Sequence, residues 1–131
     1  MPPSALPFLM FQGQAEQAMT FYVENIPGSK VIDVVRYGAG EPGPEGTVKK
    51  AMFSVAGQTV HCIDSPVKHA FTFTPAFSFF VECESEDQIR RMAVALAEGG
   101  SVLMPLDSYG FSREFTWVND RFGVSWQLNL K

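Results

Sequence analysis

The run from Arg36 to Gly46, RYGAGEPGPEG, contains a literal G-x-G-x-x-G at Gly38, Gly40 and Gly43, directly after the apolar run VIDVV. A glycine turn in that setting can cradle a dinucleotide pyrophosphate or hold S-adenosylmethionine, because the amides opening the next helix face the anion. The residues from Glu41 onward remove that chemistry. EPGPEGTVKK carries prolines that oppose a helix and glutamates that repel phosphate. The next run is strand-like, and no acidic residue closes a second strand about 20 residues on. The stretch reads as a loop between two antiparallel strands, able at most to lie over a binding site as a lid.

Other reactive side chains are few. His61 is a candidate general acid or base at neutral pH, or simply a hydrogen-bonded strand histidine. Its neighbour Cys62 points to the opposite face of the same strand, so the two form no nucleophile–base pair. Cys62 and Cys83 lack C-x-x-C spacing and read as buried free thiols of a reducing cytoplasm. His69 reads as structural or exposed. Trp117 and Trp126 alternate with polar residues, which suits core packing, although one of them can line a binding site. Arg113 and Glu114 either gate a site or pair with each other. The chain offers no Ser–His–Asp arrangement, and the catalytic residues are left unknown.

The elements that must position these residues repeat. LPFLMF reads as a strand, QAEQAMTFYVENI as a helix with Ala15, Ala18, Met19, Tyr22 and Ile26 on one face, and KVIDVVRY as a strand. TVKKAMFSVA and QTVHCIDS come next as strands joined at Gly57. In the second half AFSFFVEC is a strand, and Ser85 with Gln88 forms a capping-box signature. Ile89, Met92, Ala93 and Leu96 then mark a helix closed by Gly99 and Gly100. SVLMPLD, SREFTWVND and GVSWQLNL complete the set. Each half is β-α-β-β-β, with an offset of roughly 70 residues. The fold class is therefore α+β, a single domain of two βαβββ modules (6–65 and 76–131) joined by an aromatic bridge at 66–75 that packs rather than flaps.

Composition sets limits on partners. With 131 residues, 46% hydrophobic and twelve Phe, the chain can build a core of its own. A net charge of -4 with scattered Lys and Arg gives no basic face for nucleic acid. No apolar run is long enough to span a membrane, and the N-terminal MPPSALPFLM lacks the pattern of a signal peptide. The expected location is the cytoplasm.

The paired βαβββ order, FQGQAEQAMTFY, YGAGEPGPEG, CIDSPVKHAFTFTPA and the run Asp120–Gln127 together resemble the PhnB-like branch of the vicinal oxygen chelate superfamily, which includes glyoxalase and bleomycin-resistance proteins. That branch carries the legacy name 3-demethylubiquinone-9 3-methyltransferase. The resemblance implies that two modules curl into an open barrel around a cavity, with metal ligands on the first and last strand of each module, and that such chains pair as homodimers. The ligand positions fall at Phe8, His61, Ser78 and Gln127. Only His61 is a good ligand for a divalent ion, so no metal and no cofactor are expected. What remains is a site for a small apolar or aromatic ligand, lined by Phe8, His61, Ser78, Trp117 and Gln127. The alternatives are a metal-dependent lyase or dioxygenase, the methyltransferase of the family label, and a drug-sequestering resistance protein.

Overall fold

A short strand, β1 (Phe8–Phe11), buries Leu9 and Phe11 and turns Phe8 and Met10 the other way. Gln14 then opens helix α1 (Ala15–Asn25) without a side-chain cap of its own. The cap comes instead from Asp64, far along the chain. Its Oδ1 accepts the amides of Gly13 (2.8 Å) and Ala15 (3.0 Å), placing a carboxylate at the positive end of the helix. The helix buries Ala15, Ala18, Met19, Phe21 and Tyr22, and Ile26 beyond it. Phe21 is an addition to the expected face. Strands β2 (Lys30–Arg36), β3 (Val48–Val55) and β4 (Gln58–Asp64) form an antiparallel meander, and β4 lies parallel to β1, giving the order β1-β4-β3-β2. Tyr22 of α1 stacks on Phe53 of β3 at 6.0 Å, so Leu9, Phe11, Ala51, Phe53, Val60 and Cys62 face the helix.

The second half repeats this. Strand β5 (Ser78–Glu82) leads to α2 (Glu86–Ala97), then β6 (Ser101–Asp107), β7 (Glu114–Asn119) and β8 (Ser125–Leu130), in the order β5-β8-β7-β6. The Ser85 hydroxyl accepts the Gln88 amide at 3.1 Å, while Gln88 Oε1 accepts the amide of Glu84 at 2.8 Å, so the reciprocal bond lands one residue upstream of the cap. Ile89, Met92 and Leu96 are buried. The Phe79 and Trp126 rings meet at 4.9 Å, and Arg90 of α2 pairs with Glu114 of β7 at 3.3 Å. Gly100 is required by close approach: a Cβ there would sit 2.0 Å from the Asn119 carbonyl.

The structure describes residues 2–131 of this computed structural model and divides into two compact units, one ending at His69 and one beginning at Ala70. The bridge is thereby shared. Its first part is folded back within the first unit, where Ser65 Oγ meets His69 Nε2 at 3.0 Å. Its second part belongs to the other unit, where Phe73 lies beside Gly123. No helix among the described residues is long and apolar enough to cross a membrane.

Candidate functional site

Each sheet has one face on its helix and one turned away, the far face. Strand register fixes which residues share it. In the first unit, Phe8, His61, Met52 and Asp33 lie in one row across the four strands. In the second, the matching row is Phe80, Gln127, Trp117 and Met104. Each module thus sets one polar side chain, His61 or Gln127, between an aromatic ring and a bulky residue. The rings at the sheet edge are open to solvent, Phe8 at 57% and Phe80 at 55%.

This register corrects one assignment. The residue that stands to Gln127 as Phe8 stands to His61 is Phe80, not Ser78. Ser78 is paired with Ser125, one row away on the same face. The offset between first strands is therefore two residues larger than the helices suggest.

Of the residues singled out from sequence, His61 is half-buried on the far face, and its imidazole has no hydrogen-bond partner among the described residues. Trp117 is half-buried on the far face of the second sheet and donates from Nε1 to Ser125 Oγ at 2.8 Å. Trp126 is fully buried in the core and donates to Asp120 Oδ2 at 2.9 Å. Arg113 and Glu114 are not partners: Glu114 takes Arg90, and Arg113 is exposed. Cys62 and Cys83 are buried and free. Burial, helped by the Asp64 carboxylate, pushes the Cys62 thiol up to about 12, and burial pushes Cys83 up to about 11, so neither is a nucleophile near neutral pH.

Sequence reasoning missed Phe80, Ser125, Asn129, Glu82 and Ser112. Ser125 Oγ lies 2.6 Å from Ser78 Oγ. Asn129 receives a hydrogen bond from Ser112 and donates to both oxygens of Glu82, at 3.3 and 3.1 Å. Alternation within β8 was enough to place Ser125 and Asn129 beside Gln127. The partners across strands needed register.

The donor set does not fit a divalent ion. Phe8 and Phe80 have no donor atom, and Gln127 offers a neutral amide. Among the described residues no three His, Cys, Asp or Glu side chains gather closely enough to ligate a metal.

The glycine loop is the connection of an antiparallel hairpin, β2 to β3, and no helix comes after it before β3. Amides at its two ends are already engaged: Gly38 N donates to Glu41 Oε1 at 2.7 Å, and Gly46 N to the Tyr37 carbonyl at 2.9 Å. Glu41 in turn pairs with Lys49. An anionic carboxylate therefore occupies the place a phosphate would need.

A family model described as 3-demethylubiquinone-9 3-methyltransferase matches residues 3–129. The PhnB protein from Bacillus cereus is 50% identical in sequence, with TM-score 0.94 over 98% of this chain and 100% of that chain. Protein PA1353 from Pseudomonas aeruginosa is 26% identical, with TM-score 0.84 over 99% and 98%. The fosfomycin resistance protein FosX from Listeria monocytogenes, in a complex with Mn(II) and a dihydroxypropylphosphonic acid, shares the fold at 10% identity and TM-score 0.67, over 98% of this chain and 92% of its own.

Proposed function

The chain belongs to the 3-demethylubiquinone-9 3-methyltransferase (PhnB-like) family of the glyoxalase/bleomycin-resistance fold, and from that premise we propose that it binds a small apolar or aromatic molecule on the far faces of its sheets without a metal. One observation carries this. Exposed phenyl rings, Phe8 and Phe80, stand at the same register position in both modules, each beside a single polar side chain, His61 or Gln127. Apolar surface flanking a few polar groups is the usual make-up of a small-molecule site. Phe8 and His61 are assigned to the far face of the first sheet, and Ser78, Trp117 and Gln127, with Phe80 added, to that of the second.

Binding, not turnover, is what these residues support. His61, the one imidazole on those rows, is the candidate acid or base. Methyl transfer, which the family description names, would need a cradle for S-adenosylmethionine, and in the glycine loop the Gly38 amide is already taken by the Glu41 carboxylate. Metal-dependent lyase or dioxygenase chemistry would need three or more gathered His, Asp or Glu ligands, and the two rows offer only His61 and Asp33. Both modules are taken to work within one domain, residues 6–65 and 76–131 joined at 66–75. The edge strands β2 and β6 expose Val31, Ile32, Val35, Val102 and Leu103, which suits a homodimer in the cytoplasm.

Calorimetry tests this with S-adenosylmethionine, Mn(II) and a neutral biphenyl carboxamide as separate titrants. The biphenyl is expected to bind, and Phe80→Ser to weaken it by about tenfold, in line with loss of one buried ring. Micromolar affinity for S-adenosylmethionine, or stoichiometric Mn(II), would overturn the assignment. Sedimentation equilibrium of the same sample should give twice the chain mass.

A further inference from the structure

The far face of the second sheet is graded from one end to the other. Register places Ser78, Ser125, Asn119 and Ser101 in the first row, all hydroxyls and an amide. Phe80, Gln127, Trp117 and Met104 form the middle row. Glu82, Asn129, Phe115 and Asp107 form the third, with two carboxylates and no lysine or arginine. Ser78 and Glu82 are four residues apart on β5, so the outer rows are roughly 13 Å from each other.

Hydrogen-bond direction can be read at both ends. An indole N–H only donates, so Trp117 gives its proton to Ser125 Oγ. Ser125 is almost fully buried, and Ser78 Oγ is the only other side-chain atom in hydrogen-bond reach of its hydroxyl among the described residues. A buried donor left unpaired is costly, so Ser125 donates to Ser78. The proton of Ser78, which is half-buried, is then left to point outward. At the opposite end Ser112 donates to Asn129 Oδ1, and the Asn129 amide donates to Glu82. This holds the Glu82 carboxylate, which is exposed and has no cationic partner among the described residues.

We infer that this face selects an elongated aromatic amine: a hydrogen-bond acceptor against Ser78, a flat apolar body over Phe80 and Trp117, and a cationic amine against Glu82. The inference rests on the binding function proposed above and names the ligand class for it. A carboxylate placed beside Phe80 attracts a cation that an apolar face alone would not distinguish.

The probes are a biphenyl bearing a para carboxamide on one ring and a para aminomethyl group on the other, its analogue with methyl in place of aminomethyl, and its analogue without the carboxamide. Calorimetry reads affinity, and the Trp117 indole N–H resonance reads contact at this face. The aminomethyl probe should bind at least about tenfold tighter than the methyl analogue, as expected for a hydrogen bond to a charged group. Glu82→Gln should erase that advantage, and raising salt should shrink it in the unmodified protein. Ser78→Ala should weaken the carboxamide probes by more than it weakens the probe lacking that group. Equal affinity for the amine and methyl probes, or an amine preference that survives Glu82→Gln or high salt, overturns the inference while leaving the apolar binding function intact. If none of the three binds, both fall.

Discussion

Two aspartates organise the chain locally, and neither was singled out for a role from its neighbours in sequence. Asp64 ends β4, yet its carboxylate caps α1 and also accepts the Val48 amide through Oδ2 at 2.9 Å. Asp120 does comparable work at the β7–β8 turn, where Oδ1 accepts the amides of Phe122 (2.8 Å) and Val124 (3.0 Å) and Oδ2 accepts Trp126 Nε1. The run Asp120–Gln127, which carries much of the family resemblance, is thus mainly a device for closing a hairpin and seating a core tryptophan. Gln127 is its one member assigned to the binding site. Asp64→Ala leaves three backbone donors without their acceptor, and a loss of about 3 kcal/mol or more is expected in urea unfolding. Asp64→Asn keeps one acceptor oxygen and should fall between. A loss under about 1 kcal/mol for the alanine variant would show that water replaces the carboxylate.

At the scale of elements, the β2–β3 connection decides what the glycines are for. Gly43 has no room for a side chain: a Cβ would lie 2.3 Å from the Tyr37 ring. Tyr37 is buried, and its hydroxyl donates to the Asp64 carbonyl at 3.2 Å, so the loop is anchored back onto the end of β4. Gly40 is different, with open space around it but a φ of +80°. Gly43→Ala must displace the Tyr37 ring and should cost about 1–3 kcal/mol. Gly40→Ala pays only for its left-handed backbone, about 1 kcal/mol. Thermal unfolding of the two variants separates packing from backbone conformation, and equal shifts would refute the packing role of Gly43. A glycine loop fastened this way positions strands. Gly40 and Gly43, two glycines of the G-x-G-x-x-G, thus each have a structural role in the loop.

At the scale of the whole molecule, the buried thiols tie stability to alkaline pH. Both Cys62 and Cys83 have folded values raised above the ordinary 9.0, to about 12 and about 11. A thiol raised in the folded state favours folding below its unfolded value, and that contribution drains away as pH climbs from 9 towards 12. Urea midpoints should therefore drop between about pH 8 and about pH 10.5, and the drop should be shallower in a Cys62→Ala, Cys83→Ala double variant. Parallel pH profiles for the two proteins would rule out the thiols as the source.

Much of this molecule was legible in one dimension. Periods of two and of three to four residues marked the inner strands and both helices, whose buried faces follow the sequence pattern, while β2 and β6, which bury no side chain, were marked by their β-branched and apolar runs and the turns that bound them. Duplication was legible too, since it repeats that pattern. His61 and Gln127 could be matched across the halves because each stands four residues after a turn glycine. That Phe80, not Ser78, stands level with Gln127 could not be foreseen: it depends on how β5 slides along β8, and parallel register between distant strands leaves no local trace. The same holds for the Asp64 cap, whose donors lie 49 and 51 residues away. Local periodicity decided which residues face a helix and which face away. Only tertiary pairing decided which of the latter stand side by side, and with them the direction of each hydrogen bond on the far face.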